Sequence, residues 1–323
     1  MNMRILGTGS AVPKSIITND DLGKIVDTND EWIKERTGIA KRHVSDGDTV
    51  ATLGASACMR ALENAGKKAE DVELIIVATC SPEMALPCAA CQVQSMIGAT
   101  KAVAFDLNAA CSGFLFALNT AFSFFSVGSY KNALIIGSEV LSKIVDWEDR
   151  NTCILFGDGA GAVYVEAVDE ECKYSFVQHA NGAKGNVLAC GYRDVKNPLY
   201  EEKDNISNKF VSMDGREVFK FAVRSVPECI NEVLEKEGIE TSDVDYFVLH
   251  QANIRIIQGI ANKLGCDMDK FPNNIAEYGN MSSATIPVLL DELNRNGILE
   301  RGMRLVLSGF GAGLTYGATI ISW

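Results

Sequence analysis

Positive charge is what this sequence is short of. Its 323 residues include 42 acidic and 30 basic side chains, a formal net charge of −12. Broad nucleic-acid binding needs an excess of Lys and Arg against phosphate, so that class is excluded. An acidic protein partner stays compatible, provided basic residues cluster locally. Histidine is scarce, with three residues, and neither a second Cys-x-x-Cys pair nor paired histidines accompany Cys88 and Cys91. No zinc site is therefore expected. The ten cysteines (58, 80, 88, 91, 111, 153, 172, 190, 229 and 266) are spread through mostly apolar surroundings. Buried thiols in a reducing compartment fit this better than a disulfide framework. Cys88 and Cys91 read as small core residues on the first turn of a helix, with a redox dithiol as the alternative.

A membrane span is also missing. The longest uncharged stretch, residues 107–130, holds Asn108, Ser112, Asn119, Thr120, Ser123, Ser126 and Ser129 and has no flanking basic cluster. It reads as a helix buried in a large soluble core. The opening Met-Asn-Met-Arg-Ile-Leu-Gly enters a strand-like run with no signal-peptide pattern, so a cytoplasmic location is expected. With 47% apolar and 22% charged residues the chain is an ordinary folded protein. Its length suits two units of about 150 residues.

What is present is an order of elements that occurs twice. Short β-branched runs alternate with helical stretches, an α/β pattern. Strands at 72–80 and 245–250 each follow a helix, 49–65 and 218–236, that ends near a glycine, Gly66 and Gly238. Cys80 to Cys111 spans 31 residues and His250 to Asn280 spans 30; Ile76 to Ile135 spans 59 and Val248 to Val306 spans 58. Both copies close on a Gly-rich turn and a strand, 161–166 and 317–322. A single repeat of this size reads as a duplicated α/β unit and not a solenoid. Two halves are expected, 1–170 and 171–323, packed about a pseudo-two-fold axis without a linker. Their equivalent loops then bring Cys111, His250 and Asn280 together. Residues 138–151 are extra in the first copy.

Cys111 follows Asn-Ala-Ala and precedes Ser-Gly-Phe-Leu, at the start of the uncharged helix. The macrodipole and free N–H groups of a helix N-terminus favour a thiolate, although most buried cysteines are structural. His250 ends a strand, where an imidazole can exchange protons or donate to an oxyanion; alone it reads equally as a hydrogen-bonded core residue. Asn280 after Gly279 is by itself a plausible turn residue. Together, a thiol, an imidazole and a neutral amide suit acyl transfer with two oxyanion sites. Gly-Asp-Gly-Ala-Gly-Ala (157–162) matches a dinucleotide pattern, but a strand follows where phosphate binding needs a helix, so it is rejected. The loop of Gly311, Ala312 and Gly313 can bring bare N–H groups close to a ligand.

Five segments together carry a specific likeness: Asp-Glu-Trp-Ile-Lys-Glu-Arg-Thr-Gly-Ile (30–39), Asn-Ala-Ala-Cys-Ser-Gly-Phe (108–114), Leu-His-Gln-Ala-Asn (249–253), Tyr-Gly-Asn-Met-Ser-Ser-Ala (278–284) and Gly-Phe-Gly-Ala-Gly-Leu-Thr (309–315). The sequence resembles β-ketoacyl-acyl carrier protein synthase III of the thiolase superfamily over essentially its whole length. The resemblance implies a five-layered αβαβα fold, a homodimer, and the first condensation of fatty-acid synthesis. An acyl-CoA primer would acylate Cys111; malonyl-acyl carrier protein would then decarboxylate, with His250 and Asn280 holding the enolate. The N–H groups of Cys111 and of the 311–313 loop would hold the thioester oxygen. No cofactor is implied, since the CoA thioester is a substrate.

By motif, the resemblance also implies that Trp32 and Arg150 sandwich the CoA adenine. Thr28, Arg36 and Thr37 would line the tunnel, with Phe219 and Asn253 near the pantetheine. Lys220, Gln251, Arg255 and Lys263 are the expected carrier-protein contacts; Arg255 and Lys263 share a helix face. Leu86 stands where the family places a residue that walls the partner's primer pocket. A specialised secondary-metabolism homologue that loads unusual acyl groups is the alternative. A redox or scaffold protein using Cys88 and Cys91 is a third.

Overall fold

The strand Leu74–Ala78 sends Leu74, Ile76 and Ala78 into one apolar cluster, and Ile75 and Val77 into another. Successive strand side chains point to opposite faces, so a run apolar at every position is covered on both sides. The computed structural model describes residues 2–169, 173–191, 199 and 209–323. Cys172 and the expected division at 170/171 lie outside the described residues.

Two sheets are built in this way. The first runs in the order Asn2–Ala11, Gly159–Val168, Asn132–Glu139, Leu74–Ala78, Val103–Leu107. The second runs Tyr246–Leu249, Arg304–Gly311, Thr315–Ser322, Tyr174–Ala180. Leu74–Ala78 is parallel to Asn132–Glu139, as Tyr246–Leu249 is to Arg304–Gly311, and the next two pairings in each sheet are antiparallel. The edge strand Val103–Leu107 has no counterpart in the second sheet among the described residues. Register corrects one spacing. Ile76 lies opposite Ile135, and Val248 lies opposite Leu307, not Val306, so both separations are 59 residues.

Helices fill three layers around these sheets. Val50–Ala65 and Ala89–Ile97 pack on the outer face of the first sheet. Gly113–Ser126 and Thr285–Arg295 lie between the sheets, where Leu118 and Leu290 join Ile135 of one sheet and Leu305 of the other in a single cluster. Gly215–Glu237 and Ile254–Leu264 cover the outer face of the second. The result is the five-layered αβαβα architecture. Each Leu or Ile buried in the middle layer contributes about 1.5–3 kcal/mol.

The uncharged run thus becomes a middle-layer helix. Its buried Asn119 is held by the hydroxyls of Tyr174 (2.6 Å) and Thr319 (3.0 Å), which donate to Oδ1. Among the described residues no helix is long and apolar enough to cross a membrane. Helix ends follow local chemistry. Thr49 caps Val50–Ala65, and Gly66 closes it at φ +64°. Gly215–Glu237 starts three residues before the expected 218 because the Asp214 carboxylate accepts from the N–H groups of Arg216 and Glu217.

Candidate active site

Two matching turns enter the middle layer. Ala110–Ser112 leads into Gly113–Ser126, and Ser282–Ala284 leads into Thr285–Arg295. Among the described residues, Ala110 (φ +47°) and Ser282 (φ +49°) are the only non-glycines in the left-handed region, a conformation uncommon for L-residues. Each is braced alike: Asn108 Oδ1 accepts from the Ala110 N–H (3.1 Å), and Asn280 Oδ1 from the Ser282 N–H (2.8 Å). Asn280 is therefore the counterpart of Asn108, and Ser283 that of Cys111. The near-equal spacings in the sequence had set Asn280 against Cys111, three residues out.

Glycines let each half touch the other's turn. A Cβ on Gly137 would lie 2.2 Å from Ser283 O, and one on Gly311 would lie 2.6 Å from Cys111 N. Gly159 and Gly161 of the rejected dinucleotide pattern sit in a strand, and a Cβ on Gly161 would meet Val288 N at 2.6 Å. Their work is close packing.

Cys111, His250 and Asn280 line one cavity of about 640 Å³, together with Gly311, Ala312 and Gly313. Ser112 and Thr315 join the two loops through their hydroxyls at 2.6 Å. Burial pushes the Cys111 thiol up to about 12, against a hydrogen bond with Ser282 that favours the thiolate. Burial outweighs that bond. Burial likewise holds His250 neutral, lowering it to about 3, with the Phe310 ring edge-on at 5.5 Å. Asn280 spends its Oδ1 on Ser282, which leaves Nδ2 as the donor for a ligand. Thiol, neutral imidazole and amide donor thus share one cavity.

Behind them lies Glu139, which the sequence did not single out. Its buried carboxylate accepts from Ser81 Oγ (2.6 Å), Ser283 Oγ (2.9 Å) and Cys80 N (3.1 Å), tying the Ser282–Ala284 turn and residues 80–81 to the first sheet. Ser282, Ser283 and Thr285 were likewise missed. A gap-free pairing of the two turns, Ala110 with Ser282, was the signal that would have found them.

Of the expected CoA residues, Trp32, Arg36, Thr37, Phe219 and Asn253 line the same cavity. Arg150 stacks directly on Trp32, 5.0 Å from the ring centroid, and donates to Asp27 O at 2.8 Å. A sandwiched base must part that pair. The Thr37 hydroxyl bonds Ile33 O and the Ile39 N–H, and Asn253 accepts from Arg255 N and donates to Arg36 O. These two shape the wall with their polar groups already engaged. Thr28 is half-buried, its hydroxyl without a partner, and is not a lining residue.

Gln251 is a correction. It is 1% exposed, donates to Leu249 O and accepts from Asn274 N, so it cannot touch a docked protein. Lys220, Arg255 and Lys263 are exposed. Lys220 follows the lining residue Phe219, and Arg255 lies between the lining residues Asn253 and Ile256 in sequence; neither lines the cavity itself. Leu86 is 83% exposed and does not line this cavity. Cys88 is half-buried and Cys91 exposed, so neither is the core residue expected. His179 pairs with Glu232 at 2.7 Å, outside the site.

The 3-oxoacyl-[acyl-carrier-protein] synthase III pattern matches residues 105–185, and the pattern of its C-terminal part matches 234–323. The chain is 52% identical to β-ketoacyl-[acyl-carrier-protein] synthase III of Clostridium acetobutylicum over 322 residues, covering 100% of this chain and 99% of the relative. The 3-oxoacyl-[acyl-carrier-protein] synthase III of Aquifex aeolicus superposes with a TM-score of 0.93 at 42% identity, covering 99% of this chain and 100% of the other. The priming β-ketosynthase of the R1128 polyketide pathway superposes at 0.92 with 33% identity, covering 99% and 96%. With full-length identity on this scale and the same five layers, the chain belongs to the β-ketoacyl-[acyl-carrier-protein] synthase III family.

Proposed function

We infer that the chain starts fatty-acid synthesis by condensing an acyl-CoA primer with malonyl-acyl carrier protein. The observation that carries this reading is the convergence of Cys111, His250, Asn280 and the 311–313 backbone on one cavity that extends to Trp32 and Arg36. In the first half-reaction the Cys111 sulfur attacks the thioester carbonyl, the carbonyl–sulfur bond to CoA breaks, and the thiol proton leaves with CoA as its thiol. The N–H groups of Cys111 and the 311–313 loop hold the oxygen while it carries charge.

In the second half-reaction malonyl thioester loses CO2. The electrons of the broken carbon–carbon bond pass to the thioester oxygen, held by His250 and by Asn280 Nδ2. The resulting carbanion attacks the acyl-enzyme, the bond to Cys111 breaks, and the sulfur regains a proton. Lys220, Arg255 and Lys263 supply the basic docking surface that an acidic carrier protein needs on a chain of net charge −12.

A homodimer completes the primer pocket. Leu86, exposed on one chain, reaches the partner's pocket as the family resemblance implies. The specialised-loading reading is weaker, since identity to the polyketide priming enzyme is 33% against 52% for the Clostridium acetobutylicum synthase. Intact-mass measurement after incubation with acetyl-CoA tests the reading. An acetyl adduct on the wild type and none on Cys111→Ala supports it; equal adducts on both enzymes refute it.

A further inference from the structure

His250 Nδ1 lies 2.6 Å from the Thr285 hydroxyl oxygen, and both side chains are fully buried. The same oxygen lies 3.0 Å from Ser282 O. A threonine hydroxyl has one proton and so can donate to only one of these two neighbours. Ser282 O already accepts the backbone N–H of Thr285, the bond that closes the Ser282–Ala284 turn. The carbonyl therefore has a partner without the hydroxyl, which leaves the hydroxyl proton free to turn to Nδ1. Distance points the same way. Bonds donated by O–H centre near 2.7–2.8 Å and those donated by N–H near 2.9–3.0 Å, so a 2.6 Å contact belongs to a donating hydroxyl.

We propose that Thr285 donates its hydroxyl proton to His250 Nδ1 and thereby fixes the ring proton on Nε2. Thr285 is a positioning residue: it touches no substrate and sets what His250 presents to the cavity. A neutral ring protonated on Nε2 is a donor and not a base. It is suited to the enolate oxygen formed on decarboxylation and unsuited to taking the Cys111 proton. The inference rests on the functional reading above and divides its two half-reactions.

The duplication supports the pairing. In the first half the residues equivalent to His250 and Thr285 are Ala78 and Gly113, by the offset that relates Ile76 to Val248 and Ala110 to Ser282. A Cβ on Gly113 would lie 3.1 Å from Ala78 Cβ. One inter-element contact is thus built twice, as small-residue packing beside the nucleophile and as a hydroxyl–imidazole bond in the other half.

With three histidines in the chain, nitrogen NMR of 15N-histidine-labelled protein resolves the His250 tautomer directly. The wild type is expected to show Nε2 protonated and Nδ1 bare. Thr285→Val keeps the shape and removes the hydroxyl; it should lose the single tautomer and lower condensation about tenfold or more. Cys111 acylation by acetyl-CoA should stay within about twofold, because no step of it uses His250. Thr285→Ser should restore both tautomer and condensation. A wild-type ring protonated on Nδ1 would overturn the proposal, as would Thr285→Val condensing at the wild-type rate. Failure of the wild type to acylate or condense at all would instead refute the functional reading, leaving the tautomer to be read on its own.

Discussion

Cys111 and His250 owe their states to burial and not to a charged partner. A thiol held near 12 and an imidazole held near 3 cannot form a resting thiolate–imidazolium pair at neutral pH. That agrees with the proposed division, in which the two residues act in separate steps. Cys111→Ala should abolish acylation and condensation together. His250→Ala and Asn280→Ala should still acylate from acetyl-CoA yet condense about 10²–10³-fold more slowly, the usual cost of losing an oxyanion donor. If His250→Ala eliminates acylation and leaves decarboxylation intact, the role assignment is wrong. Stability carries the same signature. Above pH 6.5 His250 is neutral in both folded and unfolded chains; as pH falls from 6.5 toward 3 the unfolded chain binds a proton that the fold refuses. The His250 contribution to stability is then lost at about 1.4 kcal/mol per pH unit across that window. Urea unfolding of wild type and His250→Asn at pH 7, 5.5 and 4.5 should show a steeper acid loss in the wild type. Parallel losses would contradict burial of a neutral ring.

At the scale of elements, strands and helices were legible wherever period and capping agreed. The apolar run at 74–78, the Thr49 cap and the positive-φ glycines 66 and 238 all act locally. The duplication was legible too, but its register was not. Spacing compares positions along the chain, whereas equivalence of turns depends on φ angles and braces such as Asn108 to Ala110 and Asn280 to Ser282. Gln251 went astray for a similar reason: its neighbours in sequence line a cavity, while its own amide turns inward to Leu249 O. Glu139 and Thr285 gave no local sign because the side chains that give them a role, Ser283 and His250, lie 144 and 35 residues away in sequence. The helix Ile254–Leu264 carries an exposed Arg255 next to the lining residue Ile256. Arg255→Glu should raise the KM for malonyl-carrier protein much more than that for acetyl-CoA, measured by steady-state kinetics with each substrate varied. Equal losses would remove this helix from the docking surface.

For the whole molecule, the first sheet ends on the edge strand Val103–Leu107, and Leu86, Met84 and Val103 are exposed apolar side chains. In the homodimer proposed above, Leu86 would wall the partner's primer pocket. Leucine is smaller than a ring, so a primer should gain about 0.8 kcal/mol for each further methylene buried where space exists. Acetyl-CoA should serve, as should butyryl and branched short primers, and Leu86→Phe should narrow that range. The same chain-length profile from acetyl to octanoyl in both enzymes would show that Leu86 does not set primer size.

In the proposed cycle one cavity holds an acyl group on Cys111 and passes it to a carbanion made in place. A single-turnover chase follows that transfer. Enzyme acylated with isotopically labelled acetyl-CoA is freed of CoA, mixed with malonyl-acyl carrier protein, and both proteins are weighed by mass spectrometry over time. The label should leave Cys111 as the labelled 3-oxoacyl-carrier protein appears, one for one. Label that stays on Cys111 while unlabelled product forms, or that departs only as free acetate, would contradict the account.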